Sequence, residues 1–241
     1  MKPWAKAAVA MALSFSAGCV DIIGFRSLYR TFTAHMTGLT VHLGEDLTVA
    51  NGWDAVVLAL TLAAFVFGSI VGRTIIETGL REKARSAAAA ALALEFLLLV
   101  GVAVGGAKAQ WHVVMILLLA TAMGVQTATL TRVGPLTIHT TFVTGMINKL
   151  AQLLSTALFL GYDEARGRNE RSQLRPRVHR QALFIFLIWV LYLAGAIVGT
   201  ATQSLWGVHS LFVPASVVLV VTIFDQVNPM AIQEEKDQGE R

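Results

Sequence analysis

Six stretches of this chain are too long and too apolar to belong to an ordinary soluble core: residues 5–27, 54–73, 86–107, 111–131, 181–201 and 207–225. A bilayer core of ~30 Å needs about 20 such residues per helical crossing. Lipid offers no partner to a backbone N–H or C=O, so such segments become helices or a closed barrel. Unbroken apolar runs, rather than short alternating ones, select helices. Composition agrees. Hydrophobic residues make up 55% of the 241 positions and charged residues only 14%, against about 25% charged in a typical soluble domain. The expected fold is all-α, a polytopic transmembrane helix bundle.

The chain also repeats itself. Residues 18–43 read GCVDIIGFRSLYRTFTAHMTGLTVHL and residues 124–150 read GVQTATLTRVGPLTIHTTFVTGMINKL. Gly18 falls on Gly124. One residue of slippage later, Thr33 falls on Thr140, Thr37 on Thr144, Gly38 on Gly145 and Leu43 on Leu150. Further on, residues 67–72 (FGSIVG) match 194–199 (AGAIVG). This predicts a single membrane domain over 1–225, with one repeat at about 5–107 and a second at about 111–225. A polar, disordered tail follows at 226–241.

Two further segments, about 36–50 and 141–160, are less apolar and occupy matching places in the repeats. The first holds His42, Glu45 and Asp46; the second holds Asn148 and Lys149. We expect both to be short half-helices that do not cross. Each repeat then crosses three times, so the second copy is inverted, a recurrent transporter plan. The alternative is eight spans with parallel repeats. Charge favours the first. With a cytoplasmic N-terminus, sixteen of the nineteen Lys and Arg fall on the cytoplasmic side, and only Arg26, Arg30 and Lys108 fall outside. Trp4, Trp53, Trp111 and Trp206 lie at span ends, where amphipathic rings prefer the interface. The Arg-rich residues 163–180 form a cytoplasmic loop able to touch anionic head groups. The N-terminal run resembles a signal peptide but continues through Val20 to Phe25, so no cleavage is expected.

Ionisable groups inside spans are costly and each needs a reason. Asp21 and Glu95 are the two acids within apolar runs. Either suits a cation or a proton; either also suits an interhelical hydrogen bond. His35, Thr37 and Gly38 open the first half-helix; Thr141, Thr144 and Gly145 open the second. Thr there suits capping, and Gly allows backbone to approach closely. Helix starts at mid-depth would turn N–H groups toward a central cavity, with His35 as its titratable group. Gln126 begins a polar stripe on the fourth span, with Thr127 opposite Asp21 in the repeat alignment, and Asn148 is a further ligand candidate. The candidate substrate or ion site is therefore Asp21, His35, Thr37, Gly38, Glu95, Gln126, Thr141, Thr144, Gly145 and Asn148. Gly38 and Gly145 are expected to be less tolerant of a side chain than Gly195, which reads as a simple helix crossing.

Some classes are excluded. The net charge of +4 comes from loop arginines and is not a nucleic-acid signature. One cysteine, Cys19, forbids an internal disulfide. No paired-His spacing points to a metal, no cofactor motif appears, and GxxxxGK[ST] is absent. A GxSG serine is missing and only one aspartate is mid-span, so an intramembrane enzyme is disfavoured. The partners expected are the bilayer and an unknown small molecule or ion; a homo-oligomer stays open.

The segments AGCVDIIGF, FTAHMTGLTVHLG, AMGVQTATLTRVGPLTIHTTFVTG and ALALEFLLL resemble, in order and spacing, the YoaK-like family of bacterial inner-membrane proteins, over about 8–225. The resemblance implies a multipass protein with six spans and no assigned activity. This chain has Thr127 where the family pattern places Asn after the Gln. The reading is a small secondary transporter with a site between repeats near the bilayer midplane. The alternative is a structural or sensory membrane protein without transport.

Overall fold

The computed structural model describes residues 3–28, 31–49, 51–82, 84, 86–106, 111–129, 132–133, 136–137, 143–166 and 174–228. Among the described residues eight α-helices follow one another: α1 (Pro3–Ser27), α2 (Met36–Thr48), α3 (Gly52–Arg81), α4 (Ala87–Gly105), α5 (His112–Thr129), α6 (Val143–Ala165), α7 (Arg175–Trp206) and α8 (Phe212–Val227). A 3₁₀ turn, Gly207–Leu211, joins α7 to α8. Between α5 and α6 lies a minimal antiparallel pair, β1 (Arg132–Val133) and β2 (Leu136–Thr137). It is the one departure from an all-helical chain among the described residues. The helix ends follow local chemistry. The Ser86 hydroxyl caps α4 by accepting from the Ala89 N–H at 3.2 Å. Gly106 (φ +66) and Gly207 (φ +58) end α4 and α7 in the left-handed region that favours glycine.

Among the described residues six segments are long and apolar enough to cross a membrane: Trp4–Ser27, Gly52–Arg81, Ala87–Gly105, His112–Thr129, Val143–Ala165 and Arg175–Val227, the last holding both α7 and α8. The polytopic bundle is therefore observed. The segment 36–50 is indeed short, 13 helical residues, or about 20 Å at ~1.5 Å per residue. The expectation of a second half-helix over 141–160 is corrected. α6 runs unbroken for 23 residues. Asn148 and Lys149, which suggested a break, lie within it and are both exposed. α3 and α7 also outrun their apolar cores, to 30 and 32 residues. At the end of α3, Arg73 pairs with Glu77 four residues on, which supports an exposed helical turn.

The core is built on α1, α4 and α5, whose Leu13, Ile23, Leu92, Leu99, Ile116 and Leu119 are fully buried. Around it the packing is crossed. α1 lies against α7, α3 lies against α5, and α2 and α6 lie on α3 and α7 respectively. Glycines make both central crossings. A Cβ on Gly68 would stand 2.1 Å from the Thr121 carbonyl oxygen, and one on Gly195 2.0 Å from that of Phe15. Likewise, a Cβ on Gly18 would stand 2.1 Å from the Tyr192 carbonyl oxygen, and one on Gly124 2.1 Å from that of Phe65. The aligned glycines thus do the same thing twice, each letting two backbones touch.

Candidate functional site

Asp21 sits near the end of α1 and is 4% exposed. Its Oδ1 accepts three hydrogen bonds, from the Thr33 N–H (3.0 Å), the Thr33 hydroxyl (2.6 Å) and the Ala34 N–H (2.9 Å). Its Oδ2 accepts from the Tyr192 hydroxyl of α7 at 2.6 Å. The chain leaving α1 therefore turns back, and residues 33–34 dock beside the helix they have just left. That return sets the start of α2. A buried carboxylate needs such donors, because stripping its water without replacement costs several kcal/mol. Phe32, in the same return, stacks on Phe25 with ring centroids 4.6 Å apart and meets the His35 ring edge-on at 5.4 Å.

A cavity of about 520 Å³ opens at this junction. From the first half come Asp21, Phe32, His35, Thr37 and Phe65; from the second come Thr127, Thr144 and Tyr192. Matching positions face one another. Thr127 is the counterpart of Asp21 in the alignment that joins Gly18 to Gly124. Tyr192 is the counterpart of Phe65 in the alignment that joins Gly68 to Gly195. Among the described residues the lining contains no Lys or Arg, and Asp21 and His35 are its ionisable groups besides the Tyr192 hydroxyl. Threonine hydroxyls, an imidazole and a carboxyl share the lining with the aromatic rings of Phe32, Phe65 and Tyr192. Such a cavity suits a small, partly apolar solute held by a few polar contacts. Among the described residues no cluster of three or more His, Cys, Asp and Glu is placed to hold a metal.

The candidates fall into two groups. Asp21, His35, Thr37 and Thr144 meet at the cavity. Gly38 lies behind it, under its own His35 ring: a Cβ there would be 2.7 Å from His35 Nδ1. Gln126 is buried in the packing instead, its Nε2 donating to the Leu13 carbonyl at 2.9 Å. Gly145 follows Thr144 but does not line the cavity, and Asn148 is exposed on α6. Glu95 is fully buried in α4, away from the cavity lining, and both its oxygens are without a hydrogen-bond partner among the described residues. Thr141 lies outside the described residues.

Sequence reasoning missed three kinds of residue. Phe65 and Tyr192 were legible in principle, since each stands three residues before the first glycine of its GxxxG pair. Phe32 carried no signal beyond its neighbour Thr33. Asp225 is fully buried near the end of α8 and accepts from the Ser86 hydroxyl. At the edge of its span it reads as an ordinary interfacial acid.

A family model described as a protein of unknown function (DUF1275) matches residues 9–224. The UPF0700 transmembrane protein YoaK of Bacillus subtilis (strain 168) is 33% identical over 195 residues, covering 77% of this chain and 79% of that protein. No solved structure matches. With six membrane-length apolar segments and a transmembrane relative aligned over most of both chains, this is an integral multipass membrane protein that belongs to the DUF1275 family.

Proposed function

We propose that the chain is a small secondary transporter or permease of the bacterial inner membrane, and that the 520 Å³ cavity is its substrate site. The observation that supports this is the lining itself. Matched positions of the two repeats meet around one space: Asp21 with Thr127, Phe65 with Tyr192, Thr37 with Thr144. In this reading α6, like α2, does not cross, so the repeats are inverted, the cavity lies near the midplane, and both termini are cytoplasmic, as the Lys and Arg distribution favours. No residue is assigned a catalytic role. Energy comes from an ion gradient, and Glu95 is the candidate site for a coupled proton. A proton is the one ligand that a partnerless buried carboxyl can take without moving its neighbours.

The hydrogen bonding also bears on substrate charge. The N–H groups of Thr33 and Ala34, just ahead of α2, already hold Asp21. Among the described lining residues there is an acid, Asp21, and no Lys or Arg. This favours a cation or a neutral polar solute over an anion.

The test needs no substrate. Thr37→Cys and Thr144→Cys, each in a Cys19→Ser background, are reacted with a membrane-impermeant maleimide in right-side-out and inside-out vesicles. Alternating access predicts that each cysteine reacts from both faces. Reaction from one face only, or from neither, excludes a transport cavity and leaves the structural or sensory reading.

A further inference from the structure

A second groove, of about 680 Å³, runs between α6 and α7, away from the cavity. Its long walls are apolar, formed by Leu154 and Leu158 on one helix and Leu183 and Phe186 on the other. One end is basic. Arg175 and His179 close it, and Arg166, Arg177 and Arg180 are exposed nearby. The described acids at that end are Asp163 and Glu164, and Glu164 is taken by Arg175. His179 Nδ1 lies 2.8 Å from the Arg175 carbonyl oxygen, which can only accept. The hydrogen is therefore on Nδ1, and Nε2 donates to an anion only when the ring carries its second hydrogen, as imidazolium. Gly161 leaves a notch beside the guanidinium. The nearest atom to a Cβ built there is Arg175 Nη2, at 3.9 Å.

The dimensions narrow the occupant. From Arg175 to Phe186 the groove follows eleven residues of helix, about 16 Å. That is close to half of a ~30 Å hydrocarbon core, the depth of one leaflet. An apolar trough one leaflet deep with a basic mouth has the shape and charge of a phospholipid. We propose that this groove is a selective site for an anionic phospholipid, with an acyl chain along Leu154, Leu158, Leu183 and Phe186 and the phosphate at Gly161, Arg175 and His179. The excess of basic groups at the mouth selects net negative head groups over zwitterionic ones.

The full-length protein in detergent is titrated with phosphatidylglycerol or phosphatidylcholine of the same acyl chains. Retained lipid is counted by native mass spectrometry and stability is read as Tm. The expected result is one phosphatidylglycerol retained per chain, with a Tm rise of several degrees that phosphatidylcholine does not give. Gly161→Leu should remove both effects and leave the lipid-free Tm unchanged or higher, since leucine is the better helix former. Leu183→Trp fills the groove from the other wall and should act alike, so the result does not depend on one variant. The double variant Arg175→Gln, His179→Gln should make the two lipids equivalent. Equal retention of both lipids by the unaltered protein overturns the proposal. So does retention that survives both groove-filling variants, or a Tm rise produced equally by inorganic phosphate. A dimer that Gly161→Leu dissociates would assign the groove to a second copy instead.

Discussion

Asp21 holds Thr33 twice through one atom: its Oδ1 accepts both the backbone N–H, at 3.0 Å, and the side-chain hydroxyl, at 2.6 Å. The acid that the sequence marks as costly is thus the peg on which the segment leading into α2 hangs. Removing it strands four donors, counting Ala34 N–H and the Tyr192 hydroxyl. Asp21→Ala is expected to lose about 3–5 kcal/mol of stability, as when one partner of a buried charged contact is deleted. Asp21→Asn keeps an accepting oxygen and should lose only about 1–3 kcal/mol. Thermal unfolding in detergent, side by side, checks the order. Equal losses would mean that the charge, rather than the accepting geometry, does the holding.

This dual use explains what was legible in the sequence and what was not. Asp21, His35, Thr37 and Thr144 were found because a charge in an apolar run and a repeated Thr–Gly pair need no neighbours to be noticed. The crossing of α1 with α7 and of α3 with α5 was not readable. A GxxxG pair says that a helix comes close and is silent on which helix. Helix length in the second half was misjudged for a related reason. Asn148 and Lys149 look disruptive along the chain, yet α6 runs through both unbroken. Glu95 was marked by the same rule as Asp21, yet it lies apart from the cavity, because hydropathy records depth and not facing.

The glycine crossings reverse one expectation. Gly195 reads as a tolerant position, yet its Cβ would stand 2.0 Å from the Phe15 carbonyl oxygen, which belongs to helix backbone and cannot swing aside. At Gly38 the obstruction is the movable ring of His35. Gly195→Ala and its counterpart Gly68→Ala should therefore each cost about 1–3 kcal/mol or more, the range for overpacked cores. Gly38→Ala should cost less. Unfolding midpoints of the three variants decide this, and a benign Gly195→Ala would mean that α1 and α7 do not touch as described.

Glu95 separates stability from function. Its oxygens meet no partner among the described residues, and an unsatisfied buried group costs roughly 1–3 kcal/mol. Glu95→Leu should thus be neutral or stabilising. If Glu95 carries the coupled proton, the same variant abolishes proton flux in proteoliposomes. A protein that is more stable and fully active would remove Glu95 from the transport reading and leave it without an assigned role.

Membrane sidedness can be read from two exposed positions, Glu82 just past α3 and Ala165 at the end of α6. The inverted-repeat reading puts both on the cytoplasmic side. Glu82→Cys and Ala165→Cys, with Cys19→Ser, should react with an impermeant maleimide only in inside-out vesicles. Labelling from opposite faces would show that α6 crosses and would end the inverted-repeat reading.

The most demanding test concerns the asymmetry at the cavity. At the crossing of α1 with α7 an acid meets a tyrosine hydroxyl, Asp21 Oδ2 with Tyr192 at 2.6 Å. The counterparts at the crossing of α3 with α5 are Thr127 on α5 and Phe65 on α3, which also line the cavity and cannot make that bond. The glycines that set the two crossings approach their partner backbones to within about the same distance. If the crossings are equivalent, the missing bond can be installed. Thr127→Asp alone introduces a carboxylate without the hydroxyl that Asp21 has, and should cost about 1–3 kcal/mol. Adding Phe65→Tyr should recover about 1.5–3 kcal/mol, the range for a hydrogen bond to a charged group. Phe65→Tyr alone gains nothing. A double-mutant cycle on unfolding free energies isolates the pair term. A coupling near zero would show that the halves share their crossings but not their cavity geometry, and that the substrate site belongs chiefly to the half that holds Asp21.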